Sequence, residues 1–98
     1  MTTRLDIFDA IGRERDYQDA KWGTPANYPH SVGEWLLILE SELQEAKQAW
    51  CKGMGDYDAL LELMQVAAVA VACMEQHGAV ERTNIDMLTR MLQREPRR

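Results

Sequence analysis

A chain of 98 residues, 46% of them hydrophobic, is one small globular domain rather than a disordered segment. A fold of this size buries only about 60–65% of the surface its unfolded chain exposes, so a helical version commonly completes its core by pairing with a copy of itself. The net charge of −5 and the lack of a basic stripe argue against a nucleic-acid polymer as partner, whereas a phosphate compound stays open if a divalent cation sits between it and the protein.

Four helical segments can be read in order, with no linker or repeat, and no run alternates with period two over a useful length. The expected fold is a single all-α domain over residues 1–98, an antiparallel four-helix bundle-like unit completed by homo-oligomerisation. The first helix runs from about Leu5 to Trp22, with Phe8 and Ile11 inward and Gly23 as a stop. Its later half, residues 13–21, is mostly polar and should be largely solvated. Residues 23–30 hold Pro25 and Pro29 and cannot be regular structure.

The second helix has the clearest start, a capping box over Ser31-Val32-Gly33-Glu34, and should continue to about Lys52, stopped by Gly53 and Gly55. The third begins near Asp56 or Asp58 and ends at Gly78, with His77 in the last turn, where positive charge is favoured. The fourth is shorter, from about Asn84 to Arg94, with Ile85, Leu88, Met91 and Leu92 as its stripe and Pro96 beyond its end.

Cys51 and Cys73 have no metal-type spacing, and Arg4, Asp6 and Asp9 stand where a signal peptide needs an apolar run, so a reduced cytoplasmic setting is expected. The most apolar stretch, Leu60 to Met74, is too short to span a bilayer and carries Glu62 and Gln65; it reads as a core helix, with no membrane partner.

Carboxylates break the apolar pattern at particular places. On a wheel of ~100° per residue, Val32, Leu36, Leu39, Leu43, Ala46 and Trp50 share one sector of the second helix, extended on one side by Trp35. Glu42 falls between Trp35 and Ala49, inside that sector or at its edge, and Glu45 lies ~60° further round beside Ile38. Glu40, Gln44, Lys47 and Gln48 fall on the polar side. From Leu60 to Met74 the only polar side chains are Glu62 and Gln65, one turn apart. Two glutamates at i and i+3 are often only a solvated face, but an ionised carboxylate in an otherwise apolar helix protonates or finds a cation. Two antiparallel helices that each offer such a pair form an oxygen cage suited to Mg²⁺. Lys47 and Lys52 lie elsewhere on the wheel or at the helix end, which makes a metal the better counter-charge.

The run Glu42-Leu43-Gln44-Glu45-Ala46, followed by Glu62-Leu63-Met64-Gln65, resembles the MazG-like superfamily of all-α nucleotide pyrophosphohydrolases. Those proteins carry an ExxE pair on one helix and an ExxD pair on the next, roughly a dozen to two dozen residues on; here sixteen residues lie between Glu45 and Glu62. His30, in a Pro-containing loop before the ExxE helix, and Trp50, which ends that helix, also look like the family, and the likeness covers about Tyr17 to Gly78. One departure is Gln65, a neutral oxygen ligand where the family has aspartate.

The resemblance implies a MazG-type fold and hydrolysis of an NTP or dNTP to the monophosphate and pyrophosphate, with Mg²⁺ as cofactor. By position, Glu42, Glu45 and Glu62 would be catalytic and metal-binding, with Gln65 a further metal ligand. A nucleotide base needs flat faces, and Trp22, Tyr28, His30, Trp35 and Trp50 cluster near the loop and the second helix. Trp22, His30, Trp35, Trp50 and Lys47 are the candidate substrate-binding residues; Lys21 and Lys52 are further cations within reach of phosphates. Met54, Met64, Met74, Met87 and Met91 read as packing. The expected partners are a nucleoside triphosphate and one or three copies of the same chain, as a homodimer or homotetramer. Two alternatives remain: a catalytically silent helical module that binds a nucleotide or a protein, with Gln65 marking lost chemistry, or a structural oligomerisation domain.

Overall fold

A computed structural model describes residues 2–53, 55–82 and 84–93, with only the backbone for 84–87. Met54, the side chains of Ile85 and Met87, Arg94 and Pro96 lie outside the described residues. The chain is all-helical: α1 Arg4–Trp22, α2 Val32–Cys51, α3 Gly55–His77 and α4 Asn84–Gln93.

Local signals set these boundaries. Thr3 and Asp6 form a capping box that starts α1 one residue before the expected Leu5, and Ser31 and Glu34 form the one expected for α2. Gly23 stops α1 at φ +90°. A side chain there would be strained at that φ and would displace the Tyr28 ring, which lies 2.3 Å from where its Cβ would stand. The irregular segment then turns on Thr24, whose carbonyl accepts the amides of Asn27 and Tyr28, and tucks Pro25 inside.

Among the described residues, α3 is the spine: α2 and α1 each pack on it, α1 and α2 do not touch one another, and α4 packs on none of the three. Leu88, Met91 and Leu92 of the expected α4 stripe are exposed. Within the described residues the packing contacts thus join α1, α2 and α3. Its apolar centre is Trp35, Val69 and Ala72, with Ile38, Leu39 and Cys73 against them.

Four expectations need correction. Phe8 does not face inward but is 57% exposed, while Ile11 is half-buried. The polar second half of α1 is not simply solvated, because Arg15 is the one buried charged residue of the described chain. It stands four residues after Ile11 and seven after Phe8, where the inward stripe would place its next apolar residue. Its guanidinium ties α1 to α3, donating from Nε to Glu75, and from Nη1 to Gln18 (3.2 Å) and Nη2 to Asp19 (2.8 Å) within its own helix. Burial alone would lower its proton affinity, but the bonds to Glu75 and Asp19 outweigh that and raise it.

The third correction concerns α2, whose buried sector is turned about 60° from the expected one. Trp35 and Ala46 are buried and Ile38 and Leu39 are packed, whereas Val32, Leu36, Leu43 and Trp50 are exposed. Finally, α3 is a core helix only along one strip. Ala68, Val69 and Ala72 are buried, but Leu60, Leu61, Leu63 and Met74 are exposed. Its 23 residues, Gly55–His77, lie close to the span expected from about Asp56 or Asp58 to Gly78, and by length and composition alone the helix is long and apolar enough to cross a membrane.

Candidate functional site

The turn of α2 brings Glu42 well inside the face that packs on α3. Carboxylate oxygens of Glu42, Glu45 and Glu62 lie within 4.8 Å of one another, with Glu42 and Glu62 half-buried and Glu45 exposed. Three carboxylates so close repel, and the least solvated yields first. Burial, then the charge of Glu45 and a hydrogen bond shared with it, and last the charge of Glu62 push the Glu42 carboxyl above the usual glutamate range. Its Oε2 is out of reach of solvent and has no hydrogen-bond donor. An orphaned acceptor of this kind asks for a proton or a cation.

Glu42 also lines a second feature. Because α1 and α2 both lie on α3 without touching, a cavity of about 510 Å³ opens between them. Ile38 and Glu42 of α2, Gln65, Val69 and Ala72 of α3, and Arg15, Lys21 and Trp22 of α1 line it, and the 23–30 segment closes it with Tyr28 and His30. Trp35 forms part of the wall, its ring meeting that of His30 edge to face at 4.8 Å and 86°. The Lys21 ammonium sits 4.8 Å from the centre of the Trp22 ring, a cation–π contact.

The site residues expected from sequence therefore divide. Glu42, Gln65, Trp22, His30 and Trp35 share the cavity, and Glu45 and Glu62 join it through Glu42. Trp50 and Lys47 do not: they line a separate groove of about 530 Å³ with Ala46, Leu60 and Leu63. The Trp50 indole N–H donates to Asp56 across the α2–α3 turn (3.1 Å). The rotation of α2 explains the split, because Trp50 belongs to the edge that turned outward.

Three residues escaped the sequence reading. Arg15 had a signal in its inward register, masked by its charged neighbours. Gln76 and His77, at the end of α3, both bond the backbone of His30, 46 and 47 residues away, and no local pattern announces so distant a contact. Comparison with protein-family models, with curated proteins and with solved structures gives no match.

Proposed function

We propose that the chain is a Mg²⁺-dependent nucleoside triphosphate pyrophosphohydrolase of the MazG-like kind, cleaving an NTP or dNTP to the monophosphate and pyrophosphate. The observation that carries this reading is Glu42, which belongs to both the carboxylate trio and the aromatic cavity. Its donorless Oε2 fits a bound cation better than a resting carboxylate. Glu42, Glu45 and Glu62 would hold the ion, with the Gln65 carbonyl as a neutral oxygen, and when bound it supplies neutralisation of phosphate charge and polarisation of water.

The remaining work falls to the chain's own side chains. Trp22, Tyr28, His30 and Trp35 offer ring faces and edges to the base, which orients the phosphates toward Glu42. Lys21, on the same cavity, offers a cation to them. Water adds at the α-phosphorus, the bond to the bridging oxygen of the β-phosphate breaks, and pyrophosphate leaves with that oxygen. One of Glu42, Glu45 and Glu62 would accept the water's proton. The free cysteines Cys51 and Cys73 fit a reducing compartment, and the proposed location is the cytoplasm.

A second feature supports self-association. Leu36, Leu43 and Trp50 recur at seven-residue spacing on α2, and Leu60, Leu63, Ala67, Ala70 and Met74 alternate by three and four on α3. These are the stripes that a second α2–α3 pair would pack into, and the proposed partner is another copy of this chain about a two-fold axis.

Release of pyrophosphate from each common ribo- and deoxyribonucleotide, with Mg²⁺ and with chelator, tests the activity. Metal-dependent release from at least one is the expected result. If none is cleaved, calorimetry with Mg²⁺ and a non-hydrolysable triphosphate separates a silent binding module, which binds, from an oligomerisation domain, which does not.

A further inference from the structure

The cavity wall formed by His30 and Trp35 depends on a residue that does not itself line the cavity. The Gln76 side-chain amide pairs in both directions with the His30 peptide: its Oε1 accepts the His30 amide (3.1 Å), and its Nε2 donates to the His30 carbonyl (2.7 Å). The same Oε1 accepts the indole N–H of Trp35 (2.9 Å). A carbonyl cannot donate, so His77, with Nε2 at 2.8 Å from the His30 oxygen, supplies a second donor there. Trp35 is buried, and a buried indole N–H needs a partner; this one shares its acceptor with the backbone of the loop.

We infer that Gln76 is a positioning residue that sets the aromatic wall of the cavity before a ligand enters. The inference rests on the nucleotide reading above. The 23–30 segment is held at two ends. At one, the Gly23 amide caps α1 on the Asp19 carbonyl; at the other, Gln76 clamps His30 to the end of α3. Tyr28 lies between these anchors, packed over Gly23. Because one amide orients both the loop and the indole, its loss frees two groups of the wall together. A ligand must then order them on binding, which weakens affinity without touching the carboxylates.

Gln76→Met keeps the length and removes the three bonds that Gln76 makes, leaving His77 on the His30 carbonyl. The expected result is about a tenfold rise in KM, and in Kd for a non-hydrolysable Mg²⁺-triphosphate, with kcat changed less than about twofold. In nitrogen-15 spectra the Trp35 indole resonance should move and exchange faster, while those of Trp22 and Trp50 stay in place. Gln76→Glu keeps an acceptor for the Trp35 and His30 N–H groups but sets an acceptor oxygen against the His30 carbonyl, where the amide donated. It should retain the Trp35 signal and weaken binding about threefold. A merely structural role gives a lower melting temperature with Kd and KM per folded molecule unchanged, and that result overturns the inference. Should Gln76→Met fail to fold, unchanged affinity in Gln76→Glu overturns it equally. Wild-type protein that binds no Mg²⁺-triphosphate overturns the nucleotide reading and this inference with it; wild type that binds, beside a Gln76→Met variant that binds as well, overturns this inference alone.

Discussion

On one side of the α2–α3 pair, α1 lies over the spine, and the space it leaves holds Glu42, Gln65, Arg15 and a wall of aromatic rings. On the other side nothing among the described residues covers Leu36, Leu43, Trp50, Leu60 and Leu63. The exposed face is the more apolar of the two, while the covered side holds the one buried charge among the described residues, Arg15, and the half-buried Glu42. Arg15 is enclosed where Glu75, Gln18 and Asp19 meet it, Glu42 is half-buried with an oxygen that has no donor, and the leucines of the other face stay exposed. The apolar arc of α2, from Ile38 round to Leu36, spans about 160°. That is wider than the strip of Trp35, Ile38, Leu39 and Ala46 that packs inward, and the proposed second copy would take the remainder.

The largest expected effect tests the covered face. Glu42→Gln, Glu45→Gln or Glu62→Gln should each lower pyrophosphate release by about a hundredfold or more, because each removes an oxygen from the same cage. In chelator the three variants should melt no lower than wild type, since taking one charge from a crowded trio relieves repulsion. Glu40→Gln, on the polar side of the same helix, is the control and should change neither. Gln65→Asp is the converse: tighter Mg²⁺ binding, with the metal-free protein less stable. Should Glu42→Gln melt far lower in chelator with unchanged activity per folded molecule, the carboxylate is structural and the cage is wrong.

The open face has its own probe. Leu43→Glu places a charge in the middle of the α2 stripe, 46% exposed in the single chain, so a lone monomer would tolerate it with little loss. In a two-fold assembly the charge appears twice across one interface. Light scattering should give a mass near twice 11.3 kDa, or a larger even multiple, for wild type at micromolar concentration, and a lower mass for Leu43→Glu. A wild-type monomer ends the comparison, leaving the leucines as an uncovered surface without a role.

How far the sequence alone could reach differs between the two faces. The helices were legible because caps and glycines are local: Ser31 with Glu34, and Gly23, act within one turn. Glu42, Glu45 and Glu62 were legible because a carboxylate is conspicuous in an apolar arc. Which edge of that arc meets α3 was not legible, since Trp35 and Trp50 lie at its two sides and both are good core residues. The structure selects Trp35, whose indole finds Gln76, and sends Trp50 outward to Asp56. That choice depends on a contact 41 residues away in sequence, and it is why Trp50 and Lys47 were grouped with a cavity they do not line.

Trp22→Ala against Trp50→Ala measures the same division at smaller scale. Trp22 lines the cavity and Trp50 the groove, so the first should raise KM by roughly three- to tenfold with little change in kcat, the loss of one stacking face. The second should leave KM alone and weaken assembly. Equal effects of both on KM would mean that the two faces are one functional surface.

The smallest effect is in the pH dependence of stability, and it again separates the faces, because Glu42 is the carboxylate of the covered face with a raised proton affinity. Its proton is held more tightly in the folded chain than in the unfolded one. Its contribution to stability is therefore fully present below the ordinary glutamate range and is lost as pH rises through the raised folded value. Glu34, bonded by the Ser31 amide and hydroxyl, is shifted the other way: its contribution is present above the ordinary range and lost as pH falls through the lowered value. The two therefore act on opposite limbs of the stability curve. Glu42→Gln should flatten only the limb that descends with rising pH, leaving the acid limb of the capping box in place. Saturating Mg²⁺ should reverse the wild-type slope, because a cation binds the ionised carboxylate and competes with its proton. Urea melts from pH 4 to 8, for both chains and with and without Mg²⁺, measure this directly. Parallel curves for wild type and Glu42→Gln would show that the carboxylate is solvated, and a solvated Glu42 removes the physical reason for a cation between α2 and α3.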